Sequence, residues 1–207
     1  MQSFLKEVLG CFLYLMLRLL IAFVIPNSGT AKNNADLTCT RSELLIKNMQ
    51  ENKLVIYTDG AARGNPGRGG YGVILMYGNK QKELSAGYRL TTNNRMELLA
   101  VITALEALKQ KHIPVTIYTD SQYVVNSIEK KWLDNWIKTD FKGGKKNKDL
   151  WMRFYQLAKA FTITIKWVKG HATNPYNNRC DVLATTAADG NNLLIDEWYE
   201  THEASAL

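Results

Sequence analysis

Apolar and polar positions divide the chain into three stretches of different pattern. Residues 8–25 are apolar except for Gly10 and Arg18, and a polar stretch follows them. Short apolar runs separated by turn residues begin at Met49, and the last residues are acidic. We therefore predict an N-terminal extension and linker over residues 1–48, a compact domain over 49–190 and an acidic C-terminal tail over 191–207.

The apolar part of the extension spans eighteen residues, which is just long enough to cross a bilayer. Arg18 would lie near the middle of that span, where a charge is costly. The first seven residues have no net charge and no small-x-small cleavage site follows Pro26, so the segment is a poor secretory signal. We interpret residues 1–48 as an upstream extension that reflects only the choice of start codon and is not natively translated. A membrane anchor is the competing interpretation, and membrane association is expected only in that case.

Five β-branched or apolar runs in the central part predict strands. Gly78 and Asn79 separate the second run from the third and indicate a hairpin. The runs are Lys53–Asp59, Tyr71–Tyr77, Lys82–Leu90, Pro114–Thr119 and Thr162–Val168.

Helical spacing of apolar residues predicts four helices between and after these strands. Asn94 and Glu97 resemble a capping box, and Ser121 is a suitable N-cap. Three adjacent strands followed by strands between helices predict an α/β fold with a mixed sheet. In the tail, Leu193, Leu194, Ile195 and Trp198 could dock as a short helix, to which we assign no chemistry. The four helices are Asn94–Lys111, Ser121–Glu129, Asp149–Phe161 and Asn177–Ala188.

The charge of the chain indicates its kind of partner, and its cysteine content indicates its compartment. The chain has 26 Lys+Arg and 19 Asp+Glu, a net charge of +7, and residues 49–190 alone carry a net +9. A basic domain of this kind favours a polyanionic partner. Cys11, Cys39 and Cys180 are too few and too widely spaced for a disulfide framework or a zinc site. This usage is typical of a reducing compartment, so we expect a cytoplasmic protein.

The sequence Ile-Tyr-Thr-Asp occurs twice, ending at Asp59 and at Asp120. In both places a predicted strand ends on the aspartate. If the strands are parallel neighbours, both carboxylates lie at the carboxyl edge of the sheet, where ligands bind in open α/β folds. Either aspartate alone could be only a turn or cap residue.

Two further acidic residues lie in the first turns of predicted helices, Glu97 and Asp181. Each could be only a capping or helix-dipole residue. Four clustered carboxylates would raise one another's pKa and would need a cation. Oxygen ligands favour Mg²⁺ or Mn²⁺, and two such ions about 3.5–4 Å apart can activate water and stabilise a leaving oxygen. A basic, polyanion-binding surface around a magnesium site of carboxylates is typical of a phosphodiesterase.

The stretch from Asp59 to Gly72 is rich in glycine and has no phosphate-loop pattern. It predicts a turn that brings backbone N–H groups and Asn65 close to a sugar–phosphate edge. A flexible hairpin loop without a binding role is the other interpretation.

Six blocks of residues together resemble bacterial ribonuclease HI, in the order and spacing of that family. The resemblance covers residue 53 to about 188, roughly two thirds of the chain. The blocks are Tyr57-Thr58-Asp59-Gly60, Gly64-Asn65-Pro66-Gly67, Gly69-Gly70-Tyr71-Gly72, Thr91-Thr92-Asn93-Asn94-Arg95-Met96-Glu97-Leu98, Tyr118-Thr119-Asp120-Ser121-Gln122-Tyr123-Val124, and Trp167-Val168-Lys169-Gly170-His171 with Arg179-Cys180-Asp181.

The resemblance implies a ribonuclease H-like, five-stranded mixed sheet flanked by helices. It implies an endonuclease that hydrolyses the RNA strand of RNA–DNA hybrids by a two-metal-ion mechanism and leaves 5′-phosphate and 3′-hydroxyl ends. It further implies a monomer without an obligatory protein partner. Two Mg²⁺ ions, with Mn²⁺ as a possible substitute, are expected on Asp59, Glu97, Asp120 and Asp181, with His171 helping to move a proton or release product.

Other matching positions imply contacts with the hybrid. Asn65, Asn93 and Gln122 match hybrid-contacting residues, and Thr92 matches one that holds a phosphate of the DNA strand. Two positions depart from the pattern. Asn178 replaces a frequent glutamate, which could change the metal preference, and Leu90 replaces a frequent basic residue close to the phosphate position.

Residues 129–148, which we call the basic segment, combine lysines with aromatic residues. Trp132, Trp136 and Phe141 are interleaved with the lysines, so the segment could grip phosphates and contact sugars. The alternative is a solvated face whose aromatic residues pack inward. The resemblance places a basic handle here, so no separate hybrid-binding domain is expected. The lysines expected to bind are Lys130, Lys131, Lys142, Lys145 and Lys146.

Two other functions stay open at this point. The first is a non-catalytic nucleic-acid-binding module of the same fold, although such a protein is expected to lose carboxylates and all four are present. The second is a DNA nuclease of the same superfold, against which the block from Thr91 to Leu98 argues.

Overall fold

The computed structural model describes residues 53–111, 113–170 and 173–204. The predicted N-terminal extension and linker lie outside the described residues, and so does His171. Among the described helices, none is both long enough and apolar enough to cross a membrane.

A six-stranded mixed sheet forms the centre of the fold, with strand order β5-β4-β1-β2-β3-β6. β1 pairs antiparallel with β2, and β2 with β3. β1 and β4, β4 and β5, and β3 and β6 are parallel pairs. The strands are β1 Leu54–Gly64, β2 Gly67–Tyr77, β3 Lys80–Thr91, β4 Pro114–Thr119, β5 Thr162–Trp167 and β6 Leu193–Leu194.

This sheet confirms the predicted α/β class, and it corrects the strand count from five to six. The sixth strand, Leu193–Leu194, lies in the tail, where we had expected a short helix docked by apolar residues. Leu194 and Ile195 are each 50% exposed. Asp196 and Tyr199 are buried instead, and a short π-helical turn, Tyr199–Glu203, follows them. The tail therefore docks through a buried carboxylate and a buried tyrosine.

Five α-helices accompany the sheet within the described residues. They are α1 Asn93–Glu106, α2 Gln122–Glu129, α3 Trp132–Lys138, α4 Lys148–Ala158 and α5 Pro175–Asp189. Ser121 caps α2 as predicted, because its Oγ accepts the N–H of Val124 at 3.2 Å. The predicted capping box at Asn94 is wrong: Thr92 is the N-cap of α1 and makes no side-chain cap. The seven-residue α3 is too short to give a helical period, and its sequence did not predict it.

The glycine-rich stretch forms two strands joined by a short turn, so the alternative interpretation as a flexible hairpin loop is wrong. β1 runs to Gly64 and β2 resumes at Gly67, so only Asn65 and Pro66 form the turn. A Cβ on Gly72 would lie 2.1 Å from the carbonyl oxygen of Cys180. Glycine is therefore required because α5 packs directly against the backbone of the sheet.

The apolar core lies between this sheet and the helices. Leu98, Ile102 and Leu105 repeat along α1 and are almost fully buried, as are Ile56 of β1 and Ile117 of β4. Burial of these side chains holds α1 against β1, and β1 in turn pairs with β4. The core therefore fixes the relative positions of the three elements that carry Asp59, Glu97 and Asp120.

Candidate active site

Asp59 and Asp120 lie side by side at the carboxyl ends of two parallel strands. Thr58 of β1 pairs with Thr119 of β4, and an aspartate follows each threonine. The predicted parallel pairing is therefore confirmed, and with it the expectation that the two carboxylates share one edge of the sheet.

Asp59 is 7% exposed, and its Oδ1 accepts the N–H of Gly60 at 2.8 Å. Burial raises the pKa of Asp59 to about 8, and the charges of Asp120, Asp181 and Glu97 contribute to the same rise. The charges of these three neighbours therefore all act on Asp59, and we call the four carboxylates together the carboxylate cluster.

Glu97 lies in the first turns of α1, which approaches β1 very closely. A Cβ on Gly60 would lie 2.2 Å from the backbone nitrogen of Glu97, so the glycine next to Asp59 permits this approach. Asn93 Nδ2 donates to Glu97 Oε1 at 2.7 Å, and the Ser121 hydroxyl donates to Oε2. Burial raises the pKa of Glu97 to about 7, and the charge of Asp120 adds to that rise, although these two hydrogen bonds oppose it.

The Asp120 side chain is held by Asn177, a residue of α5 that the sequence patterns did not identify as a site residue. Asn177 Nδ2 donates to Asp120 Oδ2 at 3.2 Å, and Asn177 is 1% exposed. A Cβ on Gly170 would lie 2.4 Å from the same oxygen, so the loop after β5 also closes on Asp120. The spacing in the sequence could have identified Asn177 as a site residue, because it precedes Asp181 by four residues and therefore lies on the same face of a helix.

α5 brings Asp181 to the cluster. Asn174 caps this helix by accepting the N–H groups of Tyr176 and Asn177 at 3.1 and 3.2 Å, and Pro175 fits its first turn. Asp181 is half-buried and follows Cys180, which is fully buried against β2. Close packing of the helix on the sheet therefore determines where this carboxylate lies.

The side chains of this cluster suit a hard cation, although they are not arranged around one. In the described part of the chain, no group of three or more His, Cys, Asp or Glu side chains is placed so that it could hold a metal ion. Glu97 and Asp120 are hydrogen-bonded to Ser121 and Asn177 instead. However, Asn177 Oδ1 is buried without a hydrogen-bond partner among the described residues, and burial together with the neighbouring carboxylates raises the pKa of Asp59. A cation with oxygen ligands would relieve both.

The residues expected to contact a hybrid lie around this edge of the sheet. Asn65 Oδ1 accepts the backbone N–H of Asn93 at 3.1 Å, which joins the β1–β2 turn to the start of α1. Asn65, Thr92 and Lys146 line one cavity of about 250 Å³. Gln122, the first residue of α2, is exposed. The structure thus places Asn65, Thr92 and Asn93 at the start of α1, the helix that carries Glu97, and lines a cavity there with one lysine of the basic segment.

The basic segment presents its lysines to solvent and buries most of its aromatic residues. Trp136 and Phe141 are 9% and 7% exposed, so the expected contact of these two rings with sugars is wrong. Trp136 packs against Tyr123 and Trp151 and anchors the segment to the domain. All five lysines expected to bind are exposed, namely Lys130, Lys131, Lys142, Lys145 and Lys146, and Lys138 is exposed as well.

Trp132 differs from the other two aromatic residues of the segment. It is 40% exposed, and Lys130 Nζ lies 5.4 Å from the centre of its ring. Lys148, at the end of the segment, is in an ion pair with Asp140 at 2.6 Å. Trp132 therefore stays available for contact with a ligand, whereas the charge of Lys148 is already partly neutralised.

Comparison with known proteins identifies the family that this chain resembles in sequence. The chain matches the RNase H family model over residues 51–189. It is 54% identical over 158 residues to the Ribonuclease H of Lachnoclostridium phytofermentans, covering 72% of this chain and 99% of that protein. It is 52% identical over 153 residues to the Ribonuclease H of Syntrophus aciditrophicus, covering 72% and 88% of the two chains.

Solved structures show the same fold. LC9-RNase H1, described as a type 1 RNase H with the type 2 active-site motif, superposes with a TM-score of 0.61 at 29% identity and covers 75% of this chain and 84% of its own. LC11-RNase H1 in complex with RNA/DNA hybrid gives a TM-score of 0.51 at 27% identity, with 66% and 97% coverage.

Proposed function

The chain belongs to the ribonuclease H family, and we propose that it is an endoribonuclease that hydrolyses the RNA strand of RNA–DNA hybrids. The observation that carries this proposal is that Asp59 and Asp120 each follow a residue of the Thr58–Thr119 pair at the carboxyl edge of the sheet, where the charge of Glu97 also acts on Asp59. Exposed lysines near this edge supply a surface for a polyanion. LC11-RNase H1, which shares the fold, binds an RNA/DNA hybrid.

Asp59, Glu97, Asp120 and Asp181 would hold two Mg²⁺ ions, or Mn²⁺ in their place. When bound, such ions supply Lewis-acid activation of water and stabilisation of the leaving oxygen, which gives 5′-phosphate and 3′-hydroxyl ends. Asn178 leaves one carboxylate fewer beside Asp181 than the family often has, so the negative charge available to the ions is lower here.

The protein's own residues orient the carboxylates and the substrate. Gly60 fixes one oxygen of Asp59, and Asn177 fixes one oxygen of Asp120. Glu97, which Asn93 and Ser121 hold by hydrogen bonds, would recognise a ribose 2′-hydroxyl, the group that distinguishes RNA from DNA.

Other residues would hold the nucleic acid or serve the reaction. Thr92 and the basic segment would hold phosphates of the hybrid. His171 would help to move a proton or release product. A single chain in the cytoplasm would suffice for this activity, since the domain carries its own basic segment.

The decisive experiment compares Asp59→Asn and Asp120→Asn with the wild type on a labelled RNA–DNA hybrid in Mg²⁺. Both variants should lose cleavage and keep binding, because the basic surface is unchanged. Asp189→Asn is the matched control, since that carboxylate lies on α5 in an exposed ion pair with Arg63. Near-normal cleavage by either site variant would contradict the assignment.

Two comparisons in the same assay separate the alternatives. A wild-type protein that binds hybrids without cutting them in Mg²⁺ or Mn²⁺ would be a binding module. Equal cleavage of duplex DNA and hybrid would indicate a DNA nuclease of the same superfold.

A further inference from the structure

The C-terminal tail contacts the two parts of the domain that are expected to hold the hybrid. One contact is at the start of α1, beside Thr92 and Asn93. The other is at the end of the basic segment, where the chain enters α4. We propose that Glu203 is a positioning residue for substrate binding, which holds the end of the basic segment at a fixed place relative to the carboxylates. This inference rests on the proposed function.

The first contact anchors the tail. Asp196 accepts hydrogen bonds from Arg95 Nε at 2.7 Å and from Arg95 Nη2 at 2.8 Å, and both side chains are buried. Asp196 also accepts from Thr91 Oγ1 at 3.1 Å. Tyr199 packs on the Arg95 guanidinium, 5.6 Å from its ring centre. A buried, paired charge of this kind is costly to disrupt, so the tail has a firm attachment next to Thr92.

The second contact reaches the basic segment. Glu203 Oε1 accepts the backbone N–H of Asn147 at 2.9 Å. Asn147 is 3% exposed and has a left-handed backbone with φ of 62°. Its Nδ2 donates to the hydroxyl of Tyr123 at 3.0 Å. Glu203 therefore stabilises the residue at which the basic segment turns into α4.

Lys146, the residue before Asn147, faces the same cavity as Thr92 and Asn65, and Glu203 and Tyr199 form other walls of that cavity. The position of Lys146 thus depends on the backbone that Glu203 holds. Fixing the lysine before the substrate arrives lowers the entropy lost on binding. The expected consequence is tighter hybrid binding with little effect on the chemical step.

A purely electrostatic role is the alternative, in which the Glu203 carboxylate repels phosphates and weakens binding. The two roles predict opposite changes. Positioning needs an oxygen acceptor, which glutamine retains and alanine lacks, whereas repulsion needs a negative charge, which both variants lack.

The experiment measures kcat and KM for Mg²⁺-dependent cleavage of a labelled hybrid by the 207-residue protein and its variants. Glu203→Ala should raise KM about fivefold, within the effect of losing one hydrogen bond to a charged group, and leave kcat nearly unchanged. Glu203→Gln should keep KM near the wild-type value. Glu197→Ala is the matched control, because Glu197 is exposed in the same tail and the described residues provide no partner for its side chain.

The outcomes distinguish failure of the Glu203 positioning role from failure of the proposed function. An unchanged KM in Glu203→Ala, an equal rise in Glu203→Gln or Glu197→Ala, or a lower KM in both Glu203 variants would overturn the positioning role. Melting curves establish that each variant is folded at the assay temperature. If the wild type itself fails to cleave hybrids, the proposed function fails, and that result is visible before any variant is compared.

Discussion

Ser121 joins Glu97 to the start of α2 through a single hydroxyl group. The hydroxyl donates to the Glu97 carboxylate, and its oxygen accepts the N–H of Val124. One side chain therefore caps a helix and holds a carboxylate of the candidate site.

We predict that Ser121→Ala lowers the free energy of unfolding by about 1 kcal/mol through loss of the cap. The melting temperature should fall by about 2–4 °C. The pKa of Glu97 in metal-free protein should rise further, because the hydrogen bond that the variant lacks lowers it. Calorimetry and NMR titration of the Glu97 carboxyl carbon measure the two effects. Ser127→Ala, in the same helix, is the control, since Ser127 donates to a backbone carbonyl and touches no carboxylate. A pKa of Glu97 that is the same in Ser121→Ala and in the wild type would contradict the prediction.

The raised pKa of Asp59 predicts how the stability of the metal-free protein depends on pH. Below the ordinary pKa of 3.8, Asp59 is protonated in both the folded and unfolded states. Between there and about 8 the unfolded state ionises first, so this group lowers stability as pH rises, and the loss is complete above the folded pKa.

Asp59→Asn removes this effect, so the variant should melt higher than the wild type at about pH 9 in the presence of a chelator. Asp189→Asn should show no such gain, because Arg63 lowers the pKa of that carboxyl. Thermal melts at several pH values provide the measurement. A wild-type protein that melts above Asp59→Asn at high pH would show that the Asp59 charge is not a destabilising one.

Gly72→Ala should destabilise the protein strongly and displace Asp181. The added Cβ would lie 2.1 Å from the carbonyl oxygen of Cys180, so α5 must move away from the sheet. We expect a loss of about 2–4 kcal/mol, in the range of overpacking against a backbone that cannot yield, and a drop in cleavage. Gly143→Ala serves as a contrast, because its Cβ would meet nothing within 4 Å and its positive φ costs only about 1 kcal/mol. Similar melting temperatures for the two variants would contradict the packing argument.

The exposed lysines of the basic segment should set the salt dependence of hybrid binding. Replacing Lys142, Lys145 and Lys146 with alanine should reduce the slope of log K against log salt by somewhat under one unit for each phosphate that is no longer neutralised. Lys148 should contribute less, because it is paired with Asp140. A salt titration measures the slope, with Lys80→Ala/Lys82→Ala in β3, at the opposite end of the sheet, as the control. Equal slopes for the triple and the double variant would show that the lysines form only a solvated face.

The sequence predicted the paired aspartates correctly because two local signals agreed. Each aspartate ends a β-branched run, and the repeated tetrapeptide suggested that the two strands are equivalent. The Gly78-Asn79 hairpin and the Ser121 cap were predicted for the same reason, since turns and caps depend on near neighbours in sequence.

Features that depend on distant partners were missed or misread. Glycine usually marks a turn, yet Gly72 serves the approach of a helix more than a hundred residues away in sequence. Trp136 became a core residue because α3 folds back onto Tyr123 and Trp151. Asp196 gave no local signal of burial, because its partner, Arg95, lies in α1. Sequence patterns report such contacts poorly, since periodicity describes only one element at a time.

The position of Asp181 on α5 has a consequence for synthesis on the ribosome. α5 follows every strand except β6, so Asp59, Glu97 and Asp120 leave the exit tunnel before the fourth carboxylate. α5 packs on Gly70 and Gly72 of β2, so the carboxyl edge of the sheet is complete only after α5 has been synthesised and has packed there. A nascent chain therefore carries an unfinished site for most of its translation, and the proposed nuclease activity is confined to polypeptides whose synthesis has passed this helix.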